Sequence, residues 1–148
     1  NGIRHYQFTF VDVYTSTPYV TVRTRKTDDD AIAALREALE TLPFSIHCIE
    51  TDNGGEWRGD FHRFCAQHGI RHVFVPKKSP WWNGHVERLH GVMDQEFWLN
   101  PNRSWQTLPE YIDYYINHRI HLCTYLLGRT PKEKLEEYLF TVSPLSVT

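Results

Sequence analysis

Ser45-Ile46-His47-Cys48-Ile49-Glu50-Thr51-Asp52-Asn53-Gly54-Gly55 carries a short apolar run directly into a tight-turn signal. Phe44 to Thr51 has the length and the boundaries of a β-strand, and it ends at Asp52. Asn53, Gly54 and Gly55 permit a sharp reversal with close backbone approach. A carboxylate there stands at the lip of a sheet, where open α/β sheets place their sites. Taken alone, the stretch is equally an ordinary turn with a solvated acid.

Upstream of it the chain supplies two strands and a helix. Arg4 to Val13, with Tyr6, Phe8, Phe10 and Val11, predicts a strand; Thr15-Ser16-Thr17-Pro18 predicts a turn. Tyr19 to Arg25 alternates, so the two segments are expected as an antiparallel hairpin. Thr27 followed by Asp28, Asp29 and Asp30 has the chemistry of a helix N-cap with acids in the first turn. Ala31, Ala34, Leu35, Ala38, Leu39 and Leu42 then recur at helical spacing until Pro43 stops them. Hairpin, helix and strand in this order predict an α/β layer in which the strand ending at Thr51 lies beside the first by a crossover.

Downstream, Glu56 to His68 is expected as a short helix with Phe61, Phe64 and Cys65 inward, and Ile70 to Val75 as a strand. Pro76-Lys77-Lys78-Ser79-Pro80 predicts a stiff basic loop. A long helix is expected from about Asn83 to Leu99, another over Trp105 to Arg119, and a last one opened by Thr130 as cap with Pro131 in first position. Neither repeats nor linkers interrupt the chain, so 1–148 is expected to be a single domain.

The apolar share of 41% excludes a disordered tail, and no apolar stretch is long enough for a membrane span. Cys48, Cys65 and Cys123 are far apart and odd in number, which suits reduced thiols in the cytoplasm. A net charge of -2 lends no support to a nucleic-acid partner, which often selects strongly basic domains.

The second informative acid is Glu87, inside Ser79-Pro80-Trp81-Trp82-Asn83-Gly84-His85-Val86-Glu87-Arg88. A helix opened by Trp-Trp-Asn-Gly is poorly chosen for helix propensity, so something other than local stability selected those residues. Asn83, Gly84, His90 and Gly91 share the face of Glu87, while Val86, Leu89 and Met93 pack behind. Its plain reading is an exposed surface glutamate. A carboxylate at a strand end and one a turn inside a helix can instead meet around a divalent cation, the arrangement of metal-assisted phosphoryl transfer.

Three motifs stand in order: Thr51-Asp52-Asn53-Gly54; Ser79-Pro80 with Asn83 to Arg88; and Tyr115-Ile116-Asn117-His118-Arg119-Ile120-His121 followed by Gly128-Arg129-Thr130-Pro131. Together they resemble the catalytic core of retroviral integrases and bacterial insertion-sequence transposases, the Asp-Asp-Glu superfamily. The third motif is similar to the tail of insertion-sequence transposases of the integrase type. This resemblance covers nearly the whole chain and implies an α/β, ribonuclease H-like fold, a mixed sheet flanked by helices.

It implies further that the chain is the core of a DNA transposase or integrase that cuts and joins strands. Asp52 and Glu87 would be its catalytic ligands for Mg²⁺ or Mn²⁺, and DNA, both element ends and target, its partner. A homo-oligomer without membrane association, in a bacterial cytoplasm near the nucleoid, completes the expectation. The flanking Lys77, Lys78, Asn83, His85 and Arg88 are candidates for phosphate or base contacts, although solvated loop charge explains the lysines equally well. Trp81 and Trp82 could stack on an unpaired base or serve packing.

The chain departs from the family pattern at its start. The family's first catalytic aspartate lies on a first strand, whereas Tyr6 to Val13 resembles the second, so that strand and its aspartate are expected upstream of residue 1. Asp12 matches a non-catalytic acid of the family; the alternative makes it the third ligand. Repulsion between Asp52 and Glu87 predicts a loosely ordered segment from Gly54 to Arg58 without metal. Two other functions keep the fold: a non-catalytic DNA-binding or assembly domain, and a ribonuclease H-like nuclease. Cys65, His68 and His72, or His118 and His121, have ligand-like spacings for zinc but do not supply four paired ligands.

Overall fold

The computed structural model describes residues 2–76, 80–124 and 126–142, with 80–83 described by their backbone alone. The chain divides into two compact units, Asn1–Phe10 with Tyr19–Glu87 and Val11–Pro18 with Arg88–Thr148.

β1 (Tyr6–Val11), all but its last residue in the first unit, pairs with β2 (Pro18–Arg23), all but its first residue there. Helix α1 (Asp28–Thr41) starts where its chemistry says it should. The Asp30 N–H donates to Thr27 Oγ1, the Thr27 N–H donates back to Asp30, and three aspartates occupy the first turn. Its stripe of Ala31, Ala34, Leu35 and Ala38 is fully buried. With Phe8, Ile49, Phe61, Phe64, Cys65 and Ile70 it forms the apolar core of the unit.

The strand expected over Phe44 to Thr51 is shorter, β3 (Cys48–Thr51), and it pairs in parallel with β4 (Arg71–Phe74). Cys48 stands opposite Arg71 and Thr51 opposite Phe74. Bonds from the Arg71 N–H to the His47 carbonyl (3.0 Å) and from the Val75 N–H to the Thr51 carbonyl (2.7 Å) extend the ladder at both ends. Among the described residues, then, β3 lies beside β4 and not beside β1, and the strands form two two-stranded sheets. The reason is local: residues 52–70 contain a helix, the long crossover that a parallel pair requires.

That crossover also differs from the single helix expected over Glu56 to His68. It is a 3₁₀ turn, Gly55–Trp57, followed by α2 (Asp60–Gln67). The break falls at Gly59, whose φ of +60° suits glycine and interrupts a right-handed helix. Asp28 Oδ2 lies 3.1 Å from where a Gly59 Cβ would stand, because it accepts the first free N–H of α2, from Asp60 (3.1 Å). One acid of the α1 first turn thereby caps the next helix. Helix α2 ends with the Ile70 N–H on the Cys65 carbonyl (2.8 Å) and the Gly69 N–H on the Ala66 carbonyl (3.2 Å).

Helix α3 (Pro80–Met93) is followed by a π-helical turn over Asp94–Trp98. In the second unit, α4 (Leu108–Asn117) opens with a reciprocal Thr107–Glu110 cap, and α5 (Pro131–Val142) with Thr130 and Glu133 in the same relation. Thr130 as cap and Pro131 in first position agree with the expectation. Phe97 stacks on Tyr111 at 5.3 Å, and Leu89, Met93, Tyr115 and Leu126 of the same unit are also buried.

Candidate active site

Asp52 sits immediately past β3, exposed, with Oδ1 accepting the Gly54 N–H at 2.9 Å. That closes a small side-chain turn, the usual use of an aspartate before glycine. Asn53 Nδ2 donates to the Val75 carbonyl at 3.3 Å, which ties the turn to the strand beyond β4. Thr51, buried at the strand end, donates its hydroxyl to the Asp52 carbonyl (2.9 Å) and meets His72 Nε2 at 2.8 Å. These bonds place the proton of His72 on Nε2 and leave its Nδ1 to accept from His62 Nδ1, 3.0 Å away. Burial first, then the neighbouring His62, pushes the pKa of His72 down to about 4, so it stays neutral.

The segment from Gly54 to Arg58 is better held than expected. Trp57 meets Phe8, Phe10 and Phe61 edge-on, with centroids 5.9, 6.2 and 4.9 Å away. Its N–H reaches the Gly54 carbonyl at 3.1 Å. Glu56 is buried, 8% exposed, and its Oε1 lies 2.9 Å from Lys26 Nζ. The expected looseness took account of carboxylate repulsion only; Lys26 places a cation among these acids. Its pKa is raised, chiefly by the hydrogen bond to Glu56 and also by the charges of Glu56 and Asp52. Sequence reading missed both residues, since Glu56 reads as a first-turn helical acid and Lys26 as loop charge. The glycine pair directly before Glu56 was the available signal.

Glu87 is exposed on α3 and belongs to the same compact unit as Asp52. The donor chemistry of two exposed carboxylates suits a hard divalent cation. Among the described residues no group of three or more His, Cys, Asp or Glu side chains converges as a metal site. Asp12 is committed elsewhere: its Oδ2 accepts from the Thr15 N–H (2.8 Å) and hydroxyl (2.7 Å). The zinc spacings do not assemble either. Burial raises the Cys65 thiol to about 11, and His68 Nδ1 faces the Phe64 carbonyl at 2.9 Å.

Of the nucleic-acid candidates, His85 is half-buried on α3, and Arg88 is exposed and falls in the second unit. Lys77 and Lys78, and the side chains of Asn83, Trp81 and Trp82, lie outside the described residues. The Asn117–His121 motif ties the C-terminal helices together by hydrogen bonds. Arg119 grips Glu96 with Nε and a terminal nitrogen (2.8–3.0 Å), Tyr111 donates its hydroxyl to the same carboxylate (2.9 Å), and Asn117 caps back onto Asp113. Glu96, not singled out in the sequence, is the centre of that network. Among the described residues no helix is long and apolar enough to cross a membrane.

An α/β core with an acid at a strand end and a second acid on a following helix defines the class. Residues 1–80 match the family described as Integrase core domain, and the chain belongs to that family. It is 32% identical over 85 residues to the Gag-Pro-Pol polyprotein of Human T-cell leukemia virus 3 (strain Pyl43), which covers 57% of this chain and 6% of the polyprotein.

Two solved structures share the fold. A chain of the simian T-cell lymphotropic virus intasome in complex with PP2A regulatory subunit B56 gamma aligns at a TM-score of 0.71 and 24% identity, covering 99% of this chain and 54% of its own. The HTLV-2 integrase catalytic core domain in complex with magnesium, in a trimeric form, aligns at 0.63 and 21%, covering 89% and 90%. The protein is thus an integrase core domain with a ribonuclease H-like α/β fold, and it spans a small fraction of its polyprotein relative and about half of the intasome chain.

Proposed function

We propose that this chain is the core of a protein that cleaves DNA and transfers strands with a divalent metal, Asp52 and Glu87 being two of the ligands. The observation that carries the reading is the Asp52 turn: an exposed carboxylate at the end of a parallel strand, braced by the Gly54 N–H, in an integrase core that also presents Glu87 exposed on α3. Mg²⁺ or Mn²⁺ bound there would activate the attacking oxygen and stabilise the leaving one at a phosphodiester. The chain's own part is to aim two oxygens from rigid elements. Lys77, Lys78, Asn83, His85 and Arg88 are proposed to receive DNA phosphates or bases, and 1–148 to act as one catalytic core. The proposed kinship with insertion-sequence enzymes rests on the third, C-terminal motif, while the relatives named above are viral.

The test is strand joining by the protein with its native N-terminal sequence, on labelled DNA ends with Mn²⁺. Asp52→Asn and Glu87→Gln are each expected to lower joining at least ~100-fold, the scale of losing a metal ligand or its orientation. Joining by both variants at the wild-type rate would remove the proposal.

A second reading, assembly without catalysis, is favoured by the exposed apolar residues Leu139 and Phe140 on α5, the latter 80% exposed. Self-association in sedimentation, together with DNA binding but no joining, would select it. The relative solved in trimeric form is consistent with a homo-oligomer under either reading.

A further inference from the structure

We infer that Lys26 and Glu56 are a positioning pair, which fixes the turn after β3 and so aims the Asp52 carboxylate. The inference rests on the proposed role of Asp52 but adds two residues to it. Gly54 is held on three sides. Its N–H donates to Asp52 Oδ1 (2.9 Å), its carbonyl accepts from the Trp57 N–H (3.1 Å), and its Cα faces the Glu56 carboxylate. A Cβ built at Gly54 would stand 2.7 Å from Glu56 Oε2 and 2.9 Å from the carboxyl carbon and Oε1, so the carboxylate occupies the space a side chain would need.

A glutamate tip is normally free to swing away, but this one is buried and its Oε1 is held by Lys26 Nζ at 2.9 Å. Burying an ionised carboxylate is costly unless it is paired, so the ammonium is what keeps it under the turn. Lys26 comes from the loop between β2 and α1, remote in sequence from the turn it braces. With the ammonium removed, Glu56 is driven toward water, the space beneath Gly54 empties, and the Asp52–Gly54 bond loses its backing.

The test separates this inference from the proposed function because its first readout needs no metal. In the metal-free protein, Lys26→Met is expected to move the Gly54 amide proton upfield, as its hydrogen bond to Asp52 is lost, while the amide protons of Ile70 and Val75 stay in place. Lys26→Arg is expected to restore the wild-type position. Gly54→Ala, which pushes Glu56 off from the other side, is expected to make a further Lys26→Met change silent at the Asp52 backbone, since both act through one carboxylate. A Gly54 resonance unmoved in folded Lys26→Met protein overturns the pair, as do independent effects in the double variant.

The second readout is Mn²⁺ affinity, expected to fall roughly tenfold in Lys26→Met and to recover in Lys26→Arg, a change comparable with loss of an outer-shell partner. Equal affinity in wild type and Lys26→Met overturns the aiming role. A full-length wild type that takes no Mn²⁺ refutes the metal role of Asp52 and with it the purpose of the aiming, while the Gly54 resonance still decides whether the pair holds the turn.

Discussion

At the scale of single residues, the chemistry beside the candidate site is set by burial. His72 lies between Thr51 and His62 with its pKa pushed to about 4, and in the second unit His121, under Tyr115 and beside Arg119, is pushed to about 4 as well. Burial is the larger cause in both, and the nearby His62 or Arg119 adds to it. Both histidines fold neutral, whereas the unfolded chain binds protons near pH 6.5, so the unfolded state gains protons first on acidification. Stability is therefore complete above about pH 6.5 and falls as pH drops toward about 4, by an amount on the order of 1 to 3 kcal/mol for each residue. Urea denaturation across that window measures it. His72→Asn is expected to be less stable at pH 7.5 but to show a shallower acid slope; an unchanged slope would mean that His72 titrates normally in the folded chain.

At the scale of elements, the joints are made by capping side chains. Asp28 of α1 closes the N-terminus of α2 through Asp60, across the left-handed Gly59. Gly59→Ala is expected to cost at least about 1 kcal/mol, for a Cβ in a left-handed conformation pressed against Asp28, with the loss read as a lower thermal midpoint. A midpoint at or above that of the wild type would contradict this geometry. Element legibility followed local rules. Thr27, Thr130 and Pro131 stand where polar caps and a fixed φ are needed, and the Ala31–Ala38 stripe has one reading only. The partner of β3 was not legible, because strand pairing depends on which crossover closes the core. Nor was the break at Gly59 legible, since Glu56 to His68 keeps a helical apolar spacing through it. Around Asp52 the turn chemistry could be read from Asn53 and Gly54, but Lys26 could not, since its contact with Glu56 joins segments distant in sequence.

At the scale of the whole molecule, a net charge of -2 does not by itself point to any ligand, and membership of the integrase core family carries the functional argument. Asp52 and Glu87 are the two carboxylates proposed to share one divalent cation. Sharing is the central claim, and manganese reports it directly. Free Mn²⁺ is followed by its electron paramagnetic resonance signal during titration with wild type, Asp52→Asn and Glu87→Gln, each verified as folded by circular dichroism. The expected result is that either substitution weakens Mn²⁺ binding about tenfold or more, and that the double substitution does little further harm, since two ligands of one ion act as a unit. Binding that is lost with Asp52 but untouched by Glu87→Gln would contradict a shared cation and leave α3 without a catalytic part.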